Sequence, residues 1–254
     1  MKKKSIQAIV FTGLMVATGI ILSQFFSITL PTVSNPIIKF GIGYLPIIII
    51  SVVYGPVYGF IAALSQDLLG FFLNGGPQGQ IFHLGFTLNA VLYGIVPGCF
   101  FKPKSNQANR LFYWSNYVLS GLFLFAIIFY IFNVESVVSS TLDDAEKYIL
   151  LGVSLFGSGS LIIFNFRMRK SRDSEYSPQK IIFVIMLLYI VVSIVLTPVW
   201  LYMIDPGIPL WMRVPLRIVK MPIEVVAYVL LLIPLLNTIK KLSEHRELEE
   251  TESK

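Results

Sequence analysis

The chain has 254 residues, of which 55% are hydrophobic and only 13% carry a charge. A water-soluble domain of this length has too little interior for so much apolar surface, so the composition predicts a polytopic membrane protein. The formal net charge of +6 comes from short basic clusters between apolar runs, which indicate membrane topology rather than nucleic-acid binding. A single cysteine, Cys99, excludes a disulfide framework and a cysteine-based metal site.

Apolar runs predict the membrane-spanning helices. A bilayer core of about 30 Å requires roughly 20 apolar residues in a helix. The segment 40–73 is too long for one helix and contains Gly55 followed by Pro56, so we expect two shorter spans joined by a tight turn at Gly55. In chain order, the eight predicted spans are 6–26, 40–55, 56–73, 82–101, 111–132, 148–166, 181–204 and 213–239.

Charges in the connecting segments predict the orientation. If the N-terminal "KKK" is cytoplasmic, the basic segments 102–110 and 167–172 also fall in the cytoplasm, and the acidic segment 135–146 falls outside. We therefore expect a multi-pass protein of the cell membrane with both termini cytoplasmic. Its single membrane domain covers 1–240, and a polar tail, 241–254, is expected to be frayed and solvated.

A carboxylate inside the membrane is the first sign of a site. Asp67 is the only charged residue of the segment 41–72. A charged side chain within a span costs roughly 2.5 to 3.5 kcal/mol, so it faces the protein interior with a partner or a ligand. The predicted topology places polar residues of the next helix and the start of the second helix at the same outer level. The set expected there is Lys39, Phe40, Asp67, Thr87 and Asn89.

The last predicted helix carries a line of charges. Arg213, Arg217, Lys220 and Glu224 are spaced i, i+4, i+7 and i+11, which places them on one helical face. Positive charge near the external end opposes the usual cytoplasmic bias, so we expect this face to line a cavity. Trp211, beside the same loop, either stacks on an aromatic ligand or belongs to the interfacial aromatic belt.

Structural roles remain open for these charges. Asp67 can pair with Lys39, Arg217 or Lys220, and Lys220 with Glu224 makes an ordinary i, i+4 ion pair. Arg213 can extend toward lipid headgroups.

Small residues form close-approach faces on two helices. Gly13 and Ala17 make one small-xxx-small pair, and a second helix has Gly55, Gly59 and Ala63 at similar spacing. Such faces serve either helix packing within the chain or docking of a separate membrane subunit, and both remain open.

The sequence lacks the common motifs of enzymes and nucleotide-binding proteins. It has no phosphate-binding GxxxxGK[ST], no HExxH and no GxSxG, so we expect no catalysis, no cofactor and no metal site, and an energy source elsewhere. An intramembrane enzyme that uses Asp67 and His83 is the rival from another class, although no recognised catalytic spacing joins them. A structural or regulatory membrane protein is a further alternative.

Several motifs carry a family resemblance. The segments "KFGIGYLPIIIISVVYGPVYGFIAALSQDLLGFFL" and "FHLGFTLNAVLYGIV", with the later "TPVWLYM" and "RVPLRIVKMPIEVV", resemble the substrate-binding S components of energy-coupling factor (ECF) vitamin transporters. The "GFTL" element and the ending are most similar to the folate type. The resemblance covers roughly 1–101 and 180–240.

The resemblance implies a six-helix subunit that binds a vitamin from outside. It also implies partners: an EcfT-like membrane coupling subunit, contacted through the small-residue face of the first helix, and two cytoplasmic ATPases. For a folate, Asp67 or Asn89 would read the pterin, and Lys39, Arg213 or Arg217 the acidic tail. The same fold can serve another vitamin or a pterin-like compound.

Two departures from the folate type stand out. Lys39 occupies a position where that type has Arg, so the compact ammonium group of lysine replaces a planar guanidinium that can bind a carboxylate through two hydrogen bonds. The segment 111–167 contains two apparent extra spans, an inserted hairpin for which the family offers no counterpart.

Overall fold

The computed structural model describes residues 3–30, 38–74, 82–101, 106–137, 144–168, 176–207 and 210–252. This part of the chain is helical apart from one short two-stranded hairpin. A π-helical segment, Tyr189–Leu196, lies between α7 and α8. In chain order the elements are α1 (Lys3–Phe25), β1 (Ser27–Leu30), β2 (Ile38–Gly41), α2 (Leu45–Tyr54), α3 (Pro56–Asn74), α4 (Leu84–Phe101), α5 (Asn106–Val137), α6 (Asp144–Arg167), α7 (Pro178–Leu188), α8 (Thr197–Ile204), α9 (Leu210–Arg213) and α10 (Pro215–Glu252).

Six helices of the described ranges are long and apolar enough to cross a membrane. They are Ile6–Phe25, Pro56–Leu73, Leu84–Phe101, Arg110–Phe129, Pro178–Ile204 and Lys220–His245. The expected second span is instead α2, whose ten residues reach about 15 Å, half the thickness of a bilayer core. Eight complete spans are therefore not confirmed, and a crossing by α6 stays a prediction.

The chain before α2 is extended rather than helical. Lys39 and Phe40 were expected to begin the second helix, but they lie on β2, opposite Thr29 and Ile28 of β1 in an antiparallel pair. Pro46 in the first turn of α2 explains the later start, because proline is favoured at the beginning of a helix and disfavours the helical conformation in the residue before it.

Helices α2, α3 and α4 form a tightly packed unit. Every residue of α2 from Leu45 to Ser51 is buried, and the Gly98 N–H of α4 donates a hydrogen bond of 2.8 Å to the Ser51 hydroxyl. The predicted turn at Gly55 is confirmed, with a φ of 94° that glycine adopts without strain. A Cβ on Gly59 would collide with the Gly94 carbonyl oxygen, so the α3 and α4 backbones touch at this crossing.

Helices α5 and α6 correspond to the expected inserted hairpin and pack into the core. Phe123 and Leu161 belong to the same buried apolar cluster as residues of α2, α4, α7 and α10. A buried amide network adds polar contacts: the Asn116 Nδ2 donates to Asn165 Oδ1 at 3.3 Å and to the Gln179 carbonyl at 2.9 Å. The Gln179 Nε2 in turn donates to the Met168 carbonyl at 2.8 Å. The hairpin is thus held against α7.

The C-terminal segment differs from expectation. The tail 241–254 was predicted to be frayed, yet α10 continues to Glu252. Its residues are strong helix formers, and Lys240 pairs with Glu244 at 3.7 Å with i, i+4 spacing. These features extend the helix beyond its apolar part.

Candidate ligand-binding site

Arg213 lies on a different helix from the other charges of the predicted stripe. It belongs to the short helix α9, and Val214 separates it from α10, which begins at Pro215. The proline explains the break, since it disfavours a helical conformation in the residue before it. The Arg213 Nη2 donates to the Asp205 carbonyl at 2.6 Å and lies 3.6 Å from Asp205 Oδ2. Arg213 therefore braces the loop after α8, and the single-face arrangement holds only for Arg217, Lys220 and Glu224.

Arg217 is a buried cation that lies within electrostatic range of Glu224. Only 9% of its surface is exposed. Within the described part of the chain, the Arg217 guanidinium has no hydrogen-bond acceptor or salt-bridge partner, and the bond of 3.1 Å from the Tyr189 hydroxyl goes to its backbone carbonyl. One turn along, Lys220 Nζ pairs with Glu224 Oε1 at 3.1 Å, as the structural alternative expected. Burying an arginine without an acceptor is costly, so this position suits an anionic ligand.

Four tyrosines lie near the charged residues of the candidate site. Tyr44 and Tyr93 stack with ring centroids 4.5 Å apart and planes 8° from parallel. The charge of Glu224 lies within electrostatic range of the hydroxyls of Tyr93, Tyr189 and Tyr228. We call Tyr44, Tyr93, Tyr189 and Tyr228 the tyrosine cluster.

The sequence analysis did not single out the tyrosine cluster. Each of the four tyrosines lies in an apolar run, where a tyrosine resembles ordinary core. The property that could have distinguished these tyrosines from ordinary core residues is the phenol hydroxyl, which needs a hydrogen-bond partner when it is buried. Tyr228 meets that need by donating to the Gly41 carbonyl at 3.2 Å.

Asp67 is half-buried and is held by a neighbouring hydroxyl. The Thr87 hydroxyl donates to Asp67 Oδ2 at 2.6 Å, which brings together two residues of the predicted set. In the described ranges, no cation pairs with Asp67; the side chains of Lys39 and Phe40 lie outside what the structure describes. Asp67 is within electrostatic range of Tyr44, whose ring stacks on Tyr93.

Asn89 uses its amide within the protein. Its Nδ2 donates to the Thr197 hydroxyl at 3.1 Å, and its Oδ1 accepts a bond of 3.2 Å from the Trp200 indole N–H. Asn89 thus joins α4 to α8 and holds the Trp200 indole in place. The side chain of Trp211 lies outside the described part.

His83 caps a helix. The Gly85 N–H donates to His83 Nδ1 at 3.1 Å, which satisfies one of the unpaired donors at the start of α4. The imidazole also lies near the Trp200 ring, with centroids 5.9 Å apart. These contacts account for His83 without a catalytic role.

The predicted docking residues fall into two groups. Gly59 and Ala63 are buried, and Gly59 touches α4 directly, as expected for packing within the chain. Gly13 and Ala17 are exposed on α1 beside Val10 and Leu14, and nothing lies within 4 Å of a Cβ placed on Gly13. Gly55, at the turn, is half-buried. Docking remains a prediction for the α1 face.

The described helices are apolar and long enough to cross a membrane, and they enclose a buried arginine and a pair of stacked aromatic rings, an arrangement suited to binding a solute. Residues 3–159, more than half of the chain, match the family model described as "ECF-type riboflavin transporter, S component", and the chain belongs to this family. It is therefore a multi-pass membrane component of a transporter and not an enzyme.

Two further similarities concern folate. The folate transporter FolT of Clostridium novyi (strain NT) is 29% identical over 108 residues, which are 42% of this chain and 58% of that protein, so the match spans less than two thirds of the relative. A crystal structure of FolT bound with folic acid aligns with a TM-score of 0.51 and 20% identity, over 90% of this chain and 95% of that chain. The second similarity supports a shared fold.

Proposed function

We propose that the chain is the substrate-binding subunit of an ECF importer and that its ligand is a folate. In this proposal the ligand enters from the external side. A membrane coupling subunit and two cytoplasmic ATPases, for which the chain has no counterpart motif, supply the energy for uptake. The single observation that carries the proposal is the buried Arg217 guanidinium, which has no acceptor within the described part of the chain.

The charge of the ligand favours folate. The glutamate moiety of folate ends in carboxylates, which match the forked donors of arginine. The pterin is a planar ring with adjacent N–H donors, suited to stacking on the tyrosine cluster and to a carboxylate acceptor such as Glu224 or Asp67. The curated relative and the aligned crystal structure, both named for folate, support the same choice.

Riboflavin is the second candidate because the matching family model is named for it. Its flat isoalloxazine ring also suits the Tyr44–Tyr93 stack. Riboflavin carries no carboxylate, however, so it would leave Arg217 without an anionic partner. The buried positive charge therefore ranks folate above riboflavin.

A binding panel tests the ligand. We expect purified protein in detergent to bind folic acid and reduced folates much more tightly than riboflavin, measured by titration calorimetry. Pteroic acid, which lacks the glutamate moiety, is the matched probe for the Arg217 contact and should bind more weakly than folic acid. Preferential binding of riboflavin would contradict the folate assignment, and binding of no vitamin would contradict the proposed function.

Docking of the coupling subunit is tested on α1. We expect Gly13→Leu and Ala17→Leu to abolish vitamin uptake in cells that contain the complete importer, because a large side chain blocks close helix approach. Ligand binding by the purified variants should stay within about twofold of the unaltered protein, since both positions are exposed. Val10→Leu, on the same exposed face, is the control for added bulk outside the small-residue pair. Equal loss of binding and uptake would contradict docking and favour packing within the chain.

A further inference from the structure

The hairpin formed by α5 and α6 packs against α10 beside the candidate site. A Cβ placed on Gly157 of α6 would lie 2.5 Å from Pro222 Cβ and 3.4 Å from the Pro222 carbonyl carbon of α10. Pro222 lies inside α10, two residues from Lys220 and two from Glu224. The α6 backbone is therefore packed directly against the part of α10 that carries the buried ion pair.

The contact falls at Pro222, one of the two prolines inside α10. A proline inside a helix removes one backbone hydrogen bond, and its ring displaces the carbonyl four residues earlier, so helices bend at this position. The direction and extent of such a bend depend on what packs beside it. Gly157 is the residue of α6 that packs there.

The other end of the hairpin is fixed. The Asn116–Asn165 pair and the Asn116 bond to the Gln179 carbonyl attach α5 and α6 to the start of α7. The Asn165 Nδ2 also donates to the Tyr113 carbonyl at 3.2 Å. Buried amides with several partners hold a fixed geometry. Helix α6 is thus held at one end by hydrogen bonds and abuts Pro222 at Gly157.

We propose that Gly157 is a positioning residue of the binding site: its contact with Pro222 sets the position of the Lys220–Glu224 segment and thereby the affinity for the ligand. The α5–α6 hairpin then contributes to ligand binding through its contact with α10. This inference rests on the proposed function for its effect on affinity, whereas its effect on the position of α10 is independent of the ligand.

The test adds one methyl group. Gly157→Ala would need about 1 Å of separation between α6 and α10 to reach an ordinary carbon–carbon contact. Because binding groups must be held within about 0.5 Å, we expect folic acid to bind about tenfold more weakly by titration calorimetry. Gly152→Ala and Gly159→Ala, on the same helix, are matched controls, since nothing lies within 4 Å of a Cβ at either position. Gly157→Ala affinity equal to that of the controls would overturn the proposal.

A second substitution tests whether the effect of Gly157→Ala depends on its contact with Pro222. Pro222→Gly removes the colliding Cβ, so we expect the double variant Gly157→Ala/Pro222→Gly to bind folic acid as well as Pro222→Gly alone. If Gly157→Ala alone lowers the yield of folded protein, comparing the double variant with Pro222→Gly still tests the proposal. If the double variant binds folic acid a further tenfold more weakly than Pro222→Gly, the contact with Pro222 is not the cause. The methyl group would then act through another residue.

A distance measurement separates this inference from the proposed function. Nitroxide labels on the exposed residues Phe72 of α3 and Leu230 of α10, in a Cys99→Ser background, report the position of α10 without ligand. We expect pulsed electron paramagnetic resonance to show a shifted distance in Gly157→Ala and an unchanged one in Gly159→Ala. If the unaltered protein binds no vitamin, the proposed function is wrong, but the measured distance still tests whether Gly157 sets the position of α10. An unshifted distance would overturn the positioning role.

Discussion

Replacing Arg217 with methionine is expected to weaken folic acid binding by about a hundredfold. Methionine keeps much of the apolar length of the side chain but removes the guanidinium, so the ligand carboxylate loses its buried partner. Truncating one member of a buried charge pair costs about 2 to 5 kcal/mol, and about 1.4 kcal/mol corresponds to tenfold in affinity. Titration calorimetry on the purified variant measures the change.

Lys240→Met is the matched control for the Arg217 substitution. It removes one positive charge from the same helix, but Lys240 is far along α10 from the candidate site and forms an exposed ion pair with Glu244. We expect its folic acid affinity to stay within about twofold. Pteroic acid, which keeps only its benzoate carboxylate, should lose less affinity than folic acid does in Arg217→Met. Unchanged folic acid affinity in Arg217→Met would remove Arg217 from the site.

Gly59→Ala is expected to give the largest loss of stability. A Cβ at this position would collide with the Gly94 carbonyl oxygen, and backbone atoms cannot turn aside as a flexible side chain does. Overpacking of this kind costs about 1 to 3 kcal/mol or more. The melting temperature in detergent should fall by about 5 °C or more, followed by fluorescence-detected size-exclusion chromatography after heating.

Gly70→Ala, on the same helix, separates the collision from helix propensity. Nothing lies within 4 Å of a Cβ at Gly70, so the added methyl group meets no described atom there. Alanine also favours a helix over glycine by about 1 kcal/mol, which should leave the Gly70 variant at least as stable as the unaltered protein. Equal melting temperatures for the two variants would contradict a close α3–α4 crossing and would reopen a docking role for Gly59.

Much of the helical architecture follows from the sequence because long apolar runs have few alternatives in lipid. The turn at Gly55 was predictable from the glycine–proline pair. The length of α2 was not, because the apolar pattern of "FGIGYLPIIII" does not distinguish a short strand followed by a half-length helix from a single span. The short strand forms because Phe40 pairs with Ile28 of β1. The sequence around Phe40 does not indicate such a contact with another segment.

The candidate site was predictable in composition but less so in geometry. Charge spacing correctly identified Arg217 and Lys220 as buried cations. The same spacing placed Arg213 on their helix, whereas Pro215 separates it from α10. Glu224 was expected on the same face and as the partner of Lys220, but its proximity to the tyrosine cluster was not predicted. That proximity arises because Tyr93 of α4 and Tyr189 of the π-helical segment approach through long-range packing.

The amide network of α5, α6 and α7 imposes an order on the biosynthesis of the protein. Asn116 and Asn165 can pair as soon as both helices have left the ribosome, which shields two polar amides from lipid while the rest of the chain is still being made. The bonds from Asn116 to the Gln179 carbonyl and from Gln179 to the Met168 carbonyl form only when α7 arrives. We therefore expect the Asn116–Asn165 pair to form before α7 packs against it, so that packing of α7 also brings in Tyr189, whose hydroxyl bonds the Arg217 carbonyl.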